Sequence, residues 1–132
     1  MNKYGLNPDI KRRDEILFGK YDPSAYMGGI CKFEDMDLPT LKLLVDEGFV
    51  NLDECQNYSP SILELMEFSE DYDGVYHFDG YVVSDRRDDY RVSIDGIARV
   101  SPILDRDELR AFSDLAHNAD EFDPVDGWAW WD

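Results

Sequence analysis

The sequence predicts an α+β fold, and three observations carry that expectation. Apolar residues recur at helical spacing behind capping residues as far as position 71, the period changes to alternation over 76–95, and a further helical segment opens at 105. Together they describe a small domain of about five helical segments and one two-stranded antiparallel hairpin, 75–84 against 88–100. The chain has 132 residues, 43% of them hydrophobic and 14% aromatic, so it can bury roughly two thirds of its unfolded surface without a metal or a disulfide. A single domain over 1–118 is expected, followed by an acidic, aromatic tail over 119–132 that docks on it.

Asn7 and Pro8 start the first helix, which Gly19 ends, with Ile10, Leu17 and Phe18 as a thin apolar face. Gly28 and Gly29 read as a flexible joint. Asp37 caps a second helix over 38–47, in which Leu41, Leu44 and Val45 share one face; Gly48 before Phe49 matches a left-handed C-terminal cap with its hydrophobic contact. Asn51 with Glu54 reads as a capping box for a short helical turn to Gln56. In the next helix Ser59 is the expected cap, Pro60 the first helical residue and Tyr58 the staple to Leu63. Ile62, Leu65, Met66 and Ser69 then turn inward while Glu64, Glu67 and Glu70 meet water.

Asp71-Tyr72-Asp73-Gly74 is a turn, and both strands that follow carry their apolar residues at even positions. Even sets face one core only across a loop of odd length. A three-residue loop, Asp85-Arg86-Arg87, pairs Phe78 with Ile94, Val82 with Tyr90, His77 with Asp95 and Tyr81 with Arg91. The last helix opens at the cap Asp105, with Leu104 stapled to Leu109 and Glu108 closing a box, and buries Leu109, Phe112, Leu115 and Ala116. Pro124 and Gly127 stop any helix in the tail. Its Trp128, Trp130 and Trp131 hold too much apolar surface to leave in water, with Trp128 expected deepest and Trp131 least buried.

The formal charge is −17 and the pI near 4.2, a balance that repels a phosphate backbone or an anionic membrane. It is unevenly placed: residues 1–32 carry a net +2, 33–80 a net −12, 81–100 none and 101–132 a net −7. Cys31 and Cys55 are too few for a disulfide framework and lack zinc spacing. No apolar stretch of signal-peptide or membrane-spanning length occurs, so the cytoplasm is the expected compartment.

Over roughly 38–100 the order of helix, short turn, helix and hairpin resembles a winged helix. That resemblance implies DNA reading through the third helix, yet this helix carries Glu64, Glu67, Glu70 and Asp71 and no Lys or Arg, so what it leaves is a regulatory or dimerisation domain. Catalysis has little to stand on: His77 facing Asp95 has the form of a base with its orienter, but no GxSxG, HExxH or Gly-rich loop accompanies it, and a cross-strand surface pair is the plainer reading. A calcium loop centred on Gly74 would need Ser69 and Gly80 as ligands and fails. No catalytic residue, metal or cofactor is therefore expected.

What remains is a non-enzymatic acidic module that binds a basic surface of another protein, as an inhibitor, an immunity-type protein or a nucleic-acid mimic. Its expected contact residues are Glu64, Glu67, Glu70, Asp71 and Tyr72 on and after the third helix, Arg86 and Arg87 at the hairpin tip, and Trp128, Trp130 and Trp131 in the tail.

Overall fold

The computed structural model describes residues 2–103 and 105–132. Helix α1 (Ile10–Phe18) and a 3-10 turn (Pro23–Ala25) precede strand β1 (Ile30–Met36), helix α2 (Leu38–Asp46) and helix α3 (Ile62–Asp71). Strands β2 (Tyr76–Val83) and β3 (Val92–Arg99), helix α4 (Arg106–Leu115), and strands β4 (Glu121–Asp123) and β5 (Trp128–Trp130) complete the chain. The class is α+β, with four α-helices among the described residues and a five-stranded antiparallel sheet in the order β1-β2-β3-β5-β4.

Five strands replace the expected two, and this removes the winged-helix resemblance. A wing projects into solvent, whereas here β1 lies along one side of the hairpin and β5 along the other. Strand β1 escapes sequence reading because a bulge puts Phe33 and Met36 both in the core three positions apart, a helical spacing, with Asp35 at φ 58° between them. Before it, Gly28 and Gly29 both take positive φ and close a two-residue turn in which Met27 and Ile30 exchange backbone hydrogen bonds. The expected joint is thus a defined reversal.

The helix ends obey local chemistry more closely than the strands. Asp37 caps α2 through the Thr40 N–H, and Gly48 at φ 82° ends it: the Phe49 N–H donates to Leu44 and the Gly48 N–H to Val45, the double bond of a Schellman motif. Helix α1 is capped by Asp9 two residues beyond Asn7, whose amide donates to the Glu47 carbonyl and ties the two helices together. The cap of α3 is Ser61, not Ser59. Ser61 has Glu64 at the third helical position to return its hydrogen bond, while Ser59 would have had Ile62 there. Tyr58 consequently lies 86% exposed and staples nothing.

The turn at 51–56 is not helical. Asn51 accepts from the Asp53 N–H, and Glu54 turns away to Arg91 and Ser93, while the carbonyls of Leu52 and Glu54 receive the Leu63 and Ile62 N–H groups at the start of α3. Asp105 caps α4, but Glu108 leaves the box unclosed because its buried carboxylate binds Tyr76 and Arg99; the staple from Leu104 lies outside the described residues.

The hairpin register also differs. Gly80 pairs with Ile94, Tyr81 with Ser93 and Val82 with Val92; beyond a bulge at Asp95 the pairs become Asp79 with Gly96, Phe78 with Ile97 and His77 with Ala98. The connection runs from Ser84 to Arg91, because Tyr90 leaves the ladder to bury itself against Leu6 and Ile10 and donate to the Leu6 carbonyl. At Gly80 a Cβ would lie 1.9 Å from the Ser93 carbonyl oxygen, so the bulged strand can approach β2 only over glycine. One sheet face, carrying Phe33, Phe78, Val82, Val92, Ile94 and Ile97, packs on α2 and α3 around Leu41, Leu44, Ile62 and Leu65.

The tail supplies two strands. Ala129 and Trp131 enter the core, and Trp131 is 1% exposed against 37% for Trp128 and 40% for Trp130, the reverse of the expected ranking. Strand alternation explains it: pairing of Ala129 with Ile97 sends the even-numbered tryptophans to the opposite face and turns Trp131 inward.

Candidate functional site

Residues facing each other across an antiparallel ladder share a side, so the register assembles rows on the outer face of the sheet. One row reads Asp79, Gly96, Trp130, Glu121, and the next reads His77, Ala98, Trp128, Asp123. In both rows β3 contributes a residue with almost no side chain. A shallow trough therefore runs along β3 between the tryptophans on one side and Asp79 and His77 on the other, with Gly96 buried at its base under the Asp79 carboxylate. Two strand spacings of about 4.8 Å set the walls roughly 10 Å apart at the backbone.

The upper end of this face is closed by the 54–56 loop. Glu54 and Gln56 reach Ser93, and Gln56 accepts from the Tyr81 hydroxyl at 2.9 Å. Lower down, a shallow cavity of about 200 Å³ is lined by Lys32, Glu34, Asp79, Asp95 and Trp130. Asp79 is fixed there, since its Oδ1 accepts the Asp35 N–H at 2.8 Å and its Oδ2 leans over Gly96, 3.5 Å from where a Cβ would stand. Partial burial, with the Asp79 charge beside it, holds the Asp95 carboxyl above the usual carboxylate range. Among the described residues no cation forms an ion pair with either Asp79 or Asp95.

The other residues singled out from sequence fall elsewhere. Glu64, Glu67, Glu70 and Asp71 are exposed on α3, on the helical side of the sheet; Glu64 is engaged in the capping box and Glu70 pairs with Lys42 at 3.2 Å. Tyr72 is half-buried in an aromatic cluster with Phe68 and Tyr76, ring centroids 5.0 and 6.0 Å away. Arg87 forks onto Asp89 within its own loop, at 2.8 and 2.7 Å, and Arg86 beside it is exposed. Of the ten residues, Trp128 and Trp130 are the pair brought to the open sheet face, and Trp131 is in the core. Asp79 and Gly96 went unrecognised and Asp95 was read only as a partner for His77, because only the bulged register and the docking of β5 place them near a tryptophan.

His77 faces Ala98, so its expected partner Asp95 is replaced by Asp35, whose Oδ1 lies 2.7 Å from His77 Nδ1. The bulge in β1 carries Asp35 to that position, and among the described residues no serine or cysteine hydrogen-bonds to the imidazole. Among the described residues no group of three or more His, Cys, Asp or Glu is set to hold a metal ion, and no helix is long and apolar enough to cross a membrane. No family model, curated protein or solved structure matches the chain.

Proposed function

We propose that the protein is a non-enzymatic interaction module of the cytoplasm that docks the outer face of its sheet on a basic surface of another protein, as an inhibitor or immunity-type protein does. One observation carries this reading: the fold buries Trp131 completely yet leaves Trp128 and Trp130 on one face at 37% and 40% exposure, with the carboxylates of Asp79, Glu121 and Asp123 in the same rows. Exposed tryptophans that the core does not need are the anchors interfaces use, and their flat amphipathic rings lose little entropy on docking. Carboxylates around them select a cationic partner, and the charge of −17 speeds the encounter at low salt. The same charge speaks against nucleic acid as the ligand.

Capture from the source lysate at low and at raised salt tests the proposal with three baits: the native chain, Trp128→Ala/Trp130→Ala, and Glu64→Lys/Glu67→Lys/Glu70→Lys. The expected result is a basic partner retained by the native chain and the α3 variant, released by salt and lost with the tryptophans. A partner held equally by the tryptophan variant would contradict the docking face, and retention lost only in the α3 variant would move the site to that helix. If duplex DNA displaces the partner, the face acts as a nucleic-acid mimic.

A further inference from the structure

We infer that the cavity between Asp79, Asp95 and Trp130 seats an arginine side chain of the basic partner, its guanidinium stacked on Trp130 and forked onto Asp79 and Asp95; this rests on the docking proposed above. The shape argues for a single side chain. A cavity of about 200 Å³ lies below the roughly 300 Å³ at which small-molecule sites begin. Phe33 and Gly80 complete its lining, Trp130 borders it, and the Asp79 carboxylate is held by the Asp35 N–H with one oxygen left free.

Chemistry then selects arginine over lysine. A planar guanidinium stacks on an indole and presents two parallel N–H groups to carboxylates, whereas an ammonium has neither the plane nor the fork and is more strongly hydrated. Lys32 lines the cavity and opposes any incoming cation.

Titration of the full chain with hexaarginine and hexalysine peptides, at about 50 and 300 mM salt and followed at the backbone amides of β3 and β5 by NMR, tests this. Hexaarginine is expected to bind saturably and more tightly than hexalysine. Trp130→Ala, Asp79→Asn and Asp95→Asn each weaken it at least about fivefold, and Trp130→Phe restores most of the loss. Lys32→Ala tightens binding, while Glu64→Gln/Glu67→Gln/Glu70→Gln, which removes three charges from α3, changes it less than about twofold.

If hexaarginine binds but the trough variants bind it as the native chain does, the seat is wrong and the acidic docking face survives. If neither peptide binds the native chain saturably, the docking reading fails with it. Native spectral dispersion in each variant separates lost binding from lost folding.

Discussion

Individual side chains show where this small core is tight and where it is not. Trp131 is enclosed, and its Nε1–H has no hydrogen-bond partner. An unmet buried donor offsets part of what the indole contributes by packing. Trp131→Ala should therefore cost about 3–5 kcal/mol, whereas Trp131→Phe, which removes the donor with part of the ring, should stay within about 1.5 kcal/mol of the native chain in urea denaturation. Arg13 and Asp14 form a buried pair on α1: Arg13 donates to Asp14 and to the Val83 carbonyl, each at 3.0 Å, and at 2.8 Å to Tyr26, whose hydroxyl donates to Asp14. Asp14→Ala strands a buried guanidinium and should destabilise by about 3–5 kcal/mol; the double variant Arg13→Met/Asp14→Leu should lose less than that single change. A double variant worse than Asp14→Ala would mean that the Val83 and Tyr26 contacts outweigh desolvation. Sequence gave no hint of this pair, because an Arg-Asp dipeptide on a helix with a thin apolar face reads as solvated.

Among the elements, helices were legible and strands much less so. The α2 caps and the inward stripe of α3 follow from hydrogen bonds within a few residues, which is the range sequence patterns report. Where two caps competed, the reciprocal bond between Ser61 and Glu64 decided. Ser61→Ala should lower stability by about 1 kcal/mol by thermal or urea denaturation, and Glu64→Ala should take part of the same energy rather than add to it. Equal stability of Ser61→Ala and the native chain would return the cap to Ser59. The hairpin was found, but its register was not: Tyr90 is drawn out of the ladder by Leu6, and the bulge at Asp95 frees that residue's carbonyl for the Trp131 N–H. Both causes lie far off in the chain. The candidate site shares this limit, for Trp128 and Trp130 stand out in composition while Asp79 and Gly96 become site residues only through strand pairing.

The whole molecule is governed by its charge. Asp37 is held below the usual carboxylate range by hydrogen bonds from Thr40, and Asp89 by those from Arg87, so their contributions exist above the unfolded pKa and are lost as pH falls through the folded one. Asp95, raised by burial and by Asp79, acts oppositely: its contribution is present below the unfolded pKa and lost as pH rises through the folded value. Relief of the −17 charge on mild acidification adds to the Asp95 effect. The melting temperature at low salt should thus be highest near about pH 5, lower at pH 7 and lower again near pH 2.5. Asp95→Asn should stabilise the fold at pH 7, by under about 1 kcal/mol after solvent screening, and leave stability unchanged where Asp95 is already protonated. A melting temperature that climbs steadily from pH 5 to 7 would refute the sign.

Sequence by itself determined the α+β class, the acidity, the inward stripes of α2 and α3 and the turn at 71–74, all set by spacings and charges the chain carries wherever it goes. Tertiary structure alone decided that 30–36 and the tail are strands, that Trp131 rather than Trp128 is enclosed, and that two tryptophans share a face with Asp79 and Asp95. Those outcomes depend on which distant segments pair and on one-residue bulges. Because strand side chains alternate, a single step of register exchanges core for surface.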